Sequence, residues 1–292
     1  MELGIHLANF TYDGGPQQLA PTLARVARES EAVGVARLTV MDHLWQIGGV
    51  GPVENDMLEA YTTLGFLAAH TEKVLLHTLV TGVTYRAPGL LAKQISTLDV
   101  LSGGRAGLGI GAAWNEEESL GLGLDFPPTK ERFERLEETL RICLQMWSDD
   151  EGPFDGEHYT LARTLNSPQN LTRPRPYLMI GGGGERKTLR LVAQYADACN
   201  LGIAPVTAHK LEVLQRHCDD LGRDYATVEK TAIAGIPPGT SRDDLLGTLR
   251  DAAALGFTVV YLMPGGPDPL RMVELVGSVV EEASGLQEAV AG

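Results

Sequence analysis

Residues 176–202 read PYLMIGGGGERKTLRLVAQYADACNLG. An apolar run, PYLMIG, stops in glycines, a stretch with apolar residues at helical spacing follows, and a second apolar run, DACNLG, closes the segment. That succession is one strand–helix–strand unit, the building block of a parallel sheet. The four consecutive glycines, 181–184, need a reason of their own. Inside regular structure each costs about 0.5–1 kcal/mol relative to alanine.

The same unit recurs outward in both directions. Strand-like runs fall at 3–8, 36–41, 73–80, 105–111, 176–181, 197–202, 230–236 and 257–263, of which the seventh is the least distinct. Amphipathic helical patterns fall at 17–33, 57–71, 88–104, 130–147, 185–195, 206–222, 241–255 and 268–284. Pro88 suits a first helical turn, and Gly103 or Gly104 suits its C-cap. Eight strands in strict alternation with eight helices over 292 residues predict an α/β fold, a (β/α)8 TIM barrel, as one domain spanning 1–292. The irregular stretch 148–176 is too long for an ordinary connection and is expected as an excursion over the barrel mouth.

With 38 acidic and 24 basic residues the chain carries a net charge of −14, which offers no footprint for nucleic acid and repels anionic lipid. Neither is an expected partner. Cys143, Cys199 and Cys218 are odd in number and widely spaced, so neither a disulfide framework nor a zinc site is indicated. The start, MELGIHLANF, has no signal-peptide pattern, and no run reaches membrane-spanning length. A cytoplasmic location is the expectation.

In (β/α)8 barrels chemistry sits at the C-terminal strand ends. Those ends carry Asn9, Asp42 and His43, Thr78 to Thr81, Asn115, Gly181 to Gly184, Asn200 and Pro264. No lysine stands there, which argues against Schiff-base chemistry. Only Asp42-His43 pairs two potential ligands, so no metal site is expected. The run Glu116-Glu117-Glu118 reads as a solvated helix start favoured by the helix dipole. What remains is a holder for a cofactor with its own reactivity. The glycine run, leading from a strand into a helix, presents bare amides and a positive helix end, which suits a phosphate. A flexible turn would explain one or two glycines. In MDHLW (41–45) Asp42 and His43 suit either a capping turn or a proton-exchanging imidazole at the mouth.

The elements TYRAP (84–88), LSGGR (101–105), GIGAAWNEEE (109–118) and GGGGE-K-T, together with MDHLW, resemble the bacterial luciferase-like superfamily, and within it the branch of oxidoreductases that use the deazaflavin coenzyme F420. The resemblance covers nearly the whole chain. It implies a flavin-like cofactor at the barrel mouth and hydride transfer between the deazaflavin C5 and a small organic substrate. The phosphate would lie on Gly182, Gly183 and Gly184 below Gly181, beside Glu185 and Thr188. His43 would stand next to the ring as the catalytic group, with Asp42 alongside. A non-proline cis peptide is implied at Thr78-Leu79, with Val80 following. Thr81 and Asn115 would meet the pyrimidine end of the ring, although a strand threonine and a helix N-cap explain both without a ligand.

Phe10, Trp45, Tyr85 and Trp114 would wall the substrate space, unless they are simple packing. Arg86, Arg173, Arg175, Arg186 and Lys187 are the cations available to an anionic cofactor tail. One departure stands out: some sugar-phosphate dehydrogenases of this branch carry a catalytic glutamate three residues before the asparagine, where this chain has Ala112. The alternatives are an FMN-dependent luciferase-like monooxygenase and a catalytically silent flavin- or deazaflavin-binding barrel. A homodimer is implied by the resemblance alone.

Overall fold

The computed structural model describes residues 1–286, so residues 287–292 of the expected 1–292 span lie outside the described ones. The elements run β1 (Glu2–Leu7), α1 (Pro16–Ala32), β2 (Arg37–Val40), α2 (Ala60–Ala68), β3 (Leu75–Thr78), β4 (Thr81–Gly82), α3 (Pro88–Ser102), β5 (Gly107–Gly111), α4 (Glu116–Gly121) and α5 (Thr129–Met146). There follow β6 (Phe154–Asp155), β7 (Thr160–Leu161), β8 (Tyr177–Gly181), α6 (Thr188–Tyr195), β9 (Ala198–Gly202), α7 (Thr207–Leu221), β10 (Glu229–Ile236), α8 (Arg242–Ala254), β11 (Val259–Pro264), α9 (Pro269–Gly277) and α10 (Val280–Gly285).

The main sheet is parallel throughout, in the order β3-β2-β1-β11-β10-β9-β8-β5-β4. Its two ends meet, because Leu76 N–H donates to Arg105 O at 2.8 Å beside a parallel bridge from Leu76 to Ala106. β3 and β4 are halves of one stave, interrupted at Leu79-Val80. Eight staves therefore close the expected barrel. The interruption carries the non-proline cis peptide, at Leu79-Val80, one bond beyond the expected Thr78-Leu79. There Val80 turns inward over three glycines. A Cβ on Gly109, Gly111 or Gly181 would meet its methyl carbons at 3.3, 3.1 or 2.8 Å.

Local chemistry sets the helix ends. Pro88 opens α3, and Gly103, at φ 73°, closes it in the left-handed conformation that glycine adopts freely. Ser241 and Asp244 form a reciprocal capping box on α8. The final helical pattern breaks into α9 and α10, and α6 begins at Thr188, three residues later than the pattern suggested.

A large apolar layer separates strands from helices. A smaller cluster of Leu79, Met179, Ala198, Val259 and Tyr261 fills the barrel interior. Below it the filling is polar. Arg37 donates to Glu229 Oε1 and Oε2 at 2.7 and 2.8 Å and to Glu2 Oε2 at 2.7 Å, and His77 Nε2 lies 2.8 Å from the Tyr261 hydroxyl.

The stretch 148–176 does not cover the barrel mouth. Its β6–β7 hairpin is pinned to α5, where the Glu138 carboxylate accepts from the Glu157, His158 and Tyr159 amides at 2.6, 3.1 and 3.0 Å. Its second half is pinned to α3, where Asp99 accepts from Leu171 N, Thr172 N and Thr172 Oγ1. These outward-facing carboxylates hold the segment along the barrel wall.

Candidate active site

A cleft of about 540 Å³ crosses the C-terminal mouth. Asp42, His43, Tyr85 and Trp114 line one end, Leu79, Val80 and Thr81 the floor, and Gly181 to Gly184 with Thr188 the other end. Most of the residues expected at a cofactor site thus share one cavity.

At the glycine end the bare backbone has specific causes. Gly182 has φ 112°, a conformation strained for any residue with a Cβ. A Cβ on Gly184 would lie 2.7 Å from Thr188 Oγ1, and one on Gly183 would lie 3.0 Å from the Lys210 side chain. Glu185 is half-buried and held by Lys210 at 3.0 Å, and it does not line the cleft.

At the other end the structure departs from the sequence reading. Glu118 is fully buried, unlike its exposed neighbours Glu116 and Glu117. Its carboxylate Oε2 lies 2.6 Å from His43 Nδ1 and accepts from the Tyr85 hydroxyl at 2.7 Å, while Oε1 accepts from Leu44 N and from Trp45 N at 2.9 Å. Burial pushes this carboxyl up, but the bonds from His43, Trp45, Leu44 and Tyr85 outweigh it and hold Glu118 below its ordinary range. An ionised Glu118 accepts only, so His43 carries its proton on Nδ1 and offers Nε2 elsewhere.

Asp42, also buried, is clamped by Arg86 through two bonds of 2.7 and 3.0 Å. Arg86 further reaches Glu59 at 2.6 Å and lies over the Tyr61 ring. Burial pushes the Asp42 carboxyl up, with Arg86 pulling the other way. Arg86 is therefore committed, as is Arg175 to Asp197 at 2.6 Å, and neither is free for a cofactor tail.

Thr81 lines the cleft and bonds Tyr61 at 2.6 Å, but Thr78 sits behind it, donating to Gly109 O at 2.8 Å. Asn115 is the N-cap of α4, its Oδ1 accepting from Glu118 N at 3.3 Å, and lies outside this cleft. Phe10 is fully buried against Tyr12 and lines no part of the cleft, because the chain turns into the apolar layer after β1. Tyr85 and Trp114 do line it, whereas Trp45 packs on Gly121 and faces a neighbouring cleft. Sequence reasoning missed Glu118, and also His6, Phe133 and Met263, which line the same cavity. His6 is driven down to about 3 by burial and by the nearby His43, so it is a neutral hydrogen-bonding group.

Residues 1–262 match the family model described as luciferase-like monooxygenase. The chain belongs to that family. An F420-dependent glucose-6-phosphate dehydrogenase of Kineococcus radiotolerans is 32% identical over 275 residues, covering 90% of this chain and 78% of the relative. Among solved structures, an F420-dependent secondary alcohol dehydrogenase in complex with an F420-acetone adduct superposes with a TM-score of 0.82 at 17% identity, covering 97% of this chain and 98% of the other. A monooxygenase from Streptomyces bottropensis superposes with a TM-score of 0.80 at 16% identity, covering 97% and 100%. At these identities the structural matches of this luciferase-like protein speak for its barrel. No helix among the described residues is long and apolar enough to cross a membrane.

Proposed function

We propose that this luciferase-like protein is an F420-dependent oxidoreductase that moves a hydride between the deazaflavin C5 and a small organic substrate. The observation that carries the reading is one cleft with a glycine turn at one end and His43, backed by Glu118, at the other. The dehydrogenase relative and its F420-dependent name support the choice of cofactor.

The residues fit such a group. Gly182, Gly183 and Gly184 form a cradle that side chains would fill, and Thr188 adds a hydroxyl at the start of α6. Leu79 and Val80 give the apolar floor, and Thr81 a polar edge. When bound, the deazaflavin supplies the hydride chemistry, and the protein supplies orientation and electrostatics. His43 Nε2 takes the proton of a substrate hydroxyl when an alcohol is oxidised, or returns it to a carbonyl oxygen in the reverse direction. Glu118 stabilises the imidazolium and fixes the ring, the role of an orienting carboxylate beside a general base. This pair fills the acid–base role left open by Ala112, and it speaks against a silent binding barrel.

We further propose one domain, a homodimer and a cytoplasmic setting; the three cysteines are free and buried. Spectral titration of the purified protein with F420 and with FMN tests the cofactor. Saturable F420 binding at micromolar concentration is expected; FMN binding without F420 binding would transfer the protein to the monooxygenase reading that the family description also carries.

A further inference from the structure

We propose that the substrate is an uncharged, apolar, ring-sized carbonyl compound or its alcohol, held against Trp114 in the cleft it shares with Trp45, and not a phosphorylated sugar. The inference rests on the oxidoreductase reading of the same cleft.

A second cleft, of about 610 Å³, opens beside the first, and the two share Ile47 and Trp114. Trp45, Pro52 and Val53 line it, together with the polar Gln46, Asn115 and Glu117. A molecule approaching His43 from this direction meets Trp114, with Trp45 on the same cleft's lining. Trp114 is 63% exposed although its ring centroid lies only 5.3 Å from that of His43, edge to face. A large exposed indole beside a buried polar pair is apolar area waiting for a ligand.

Charge narrows the ligand. Among the described residues neither cleft is lined by a lysine or an arginine. Arg86 is consumed by Asp42 and Glu59. Lys187 stands over the Phe133 ring at 5.7 Å and Lys210 is paired with Glu185 at 3.0 Å, both at the glycine end. The start of α4 faces the second cleft, but Asn115 already caps it and its first turn is Glu116, Glu117 and Glu118. A phosphate needs a guanidinium, an ammonium, a metal or a free helix end. Here it would meet Glu117 at the rim and Glu118 within. The specificity of the Kineococcus relative's name, for glucose 6-phosphate, therefore does not carry over.

Isothermal titration calorimetry of the whole chain, without cofactor and with F420, tests this using acetophenone and glucose 6-phosphate as probes. Saturable acetophenone binding is expected, weakened at least about tenfold in Trp114→Ala, with no saturable binding of glucose 6-phosphate. Saturable binding or turnover of glucose 6-phosphate overturns the proposal, and so does an absence of acetophenone binding or an equal affinity in Trp114→Ala. Acetophenone binding by a protein that ignores F420 would sink the cofactor reading while leaving the Trp114 site in place.

Discussion

His43 Nδ1 and Glu118 Oε2 lie 2.6 Å apart although 75 positions separate them in the chain. The carboxylate there faces four donors, from His43, Leu44, Trp45 and Tyr85. Glutamine would offer half the acceptor capacity and turn an amide N–H₂ toward donors. Glu118→Gln is expected to cut turnover about 100-fold, the scale of a general-base contribution. In a His43→Ala background the same change should cost little more, because one unit has already been broken. Fully additive losses in steady-state kinetics would show that Glu118 does not act through His43. Nitrogen-15 spectra of His43 give an independent reading, with the Nδ1–H tautomer present in the parent chain and lost in Glu118→Gln.

Acid stability follows from the buried histidines. Burial drives His6 and His77 from 6.5 down to about 3, so each is neutral in the fold. As pH falls below 6.5 the unfolded chain binds two protons that the folded chain refuses, and stability drops by at most about 2.7 kcal/mol per pH unit, twice the single-group slope of about 1.36. Urea unfolding at about pH 7 and about pH 5 measures it, and His77→Gln should remove near half the slope. Glu118 acts in a lower window: its stabilisation is complete above its ordinary 4.5 and is lost as pH falls through its depressed folded value. An unchanged slope in His77→Gln would show that this histidine is not held neutral.

Gly183→Val probes the cradle with little risk to the fold, because the nearest atoms to its Cβ belong to the flexible Lys210 side chain. The variant should melt near the parent temperature and lose at least about 100-fold in F420 affinity, ~2.7 kcal/mol. A folded variant with parental affinity would place the phosphate elsewhere.

Arg37→Leu addresses the opposite end of the barrel. It strands Glu229 and Glu2 beside the Tyr177 and Tyr261 hydroxyls. Glu2 is exposed and Glu229 half-buried, so water takes over part of the lost pairing, and the cost falls to about 1–3 kcal/mol, below that of a fully buried pair. Denaturant unfolding should show a loss of that order while the cofactor affinity of the remaining folded protein is unchanged.

The barrel was legible because strand and helix periods alternate so regularly, and the glycine turn because four bare residues have few other uses. Glu118 was hidden inside a run of three glutamates, where average helix behaviour predicts solvent. The distinguishing signal was positional: counted from the cap Asn115, Glu118 is at the third helical position, where a glutamate commonly turns back toward the chain before the helix. His6 also carried a signal, since it alternates with Ile5 and Leu7 in β1 and so faces the barrel interior. Phe10 could not be placed, because periodicity ends with the strand. Nor could the path of 148–176, which depends on single carboxylates, Glu138 and Asp99, reaching across from α5 and α3.

The socket around Val80 ties together positions that look unrelated in the sequence. Gly111 lies in GLGIG and Gly181 opens the GGGG run, yet both keep clear of one valine, while Gly109 is held bare chiefly by the Thr78 carbonyl oxygen, which a Cβ there would overlap. The absence of side chains at Gly111 and Gly181 is thus a shared property of a contact, and the first glycine of the run serves the barrel wall as much as any ligand. Substitution at these sites should be coupled in descent: Gly181→Ala is tolerable with Val80→Ala and damaging without it, so a lineage that changes one must change the other.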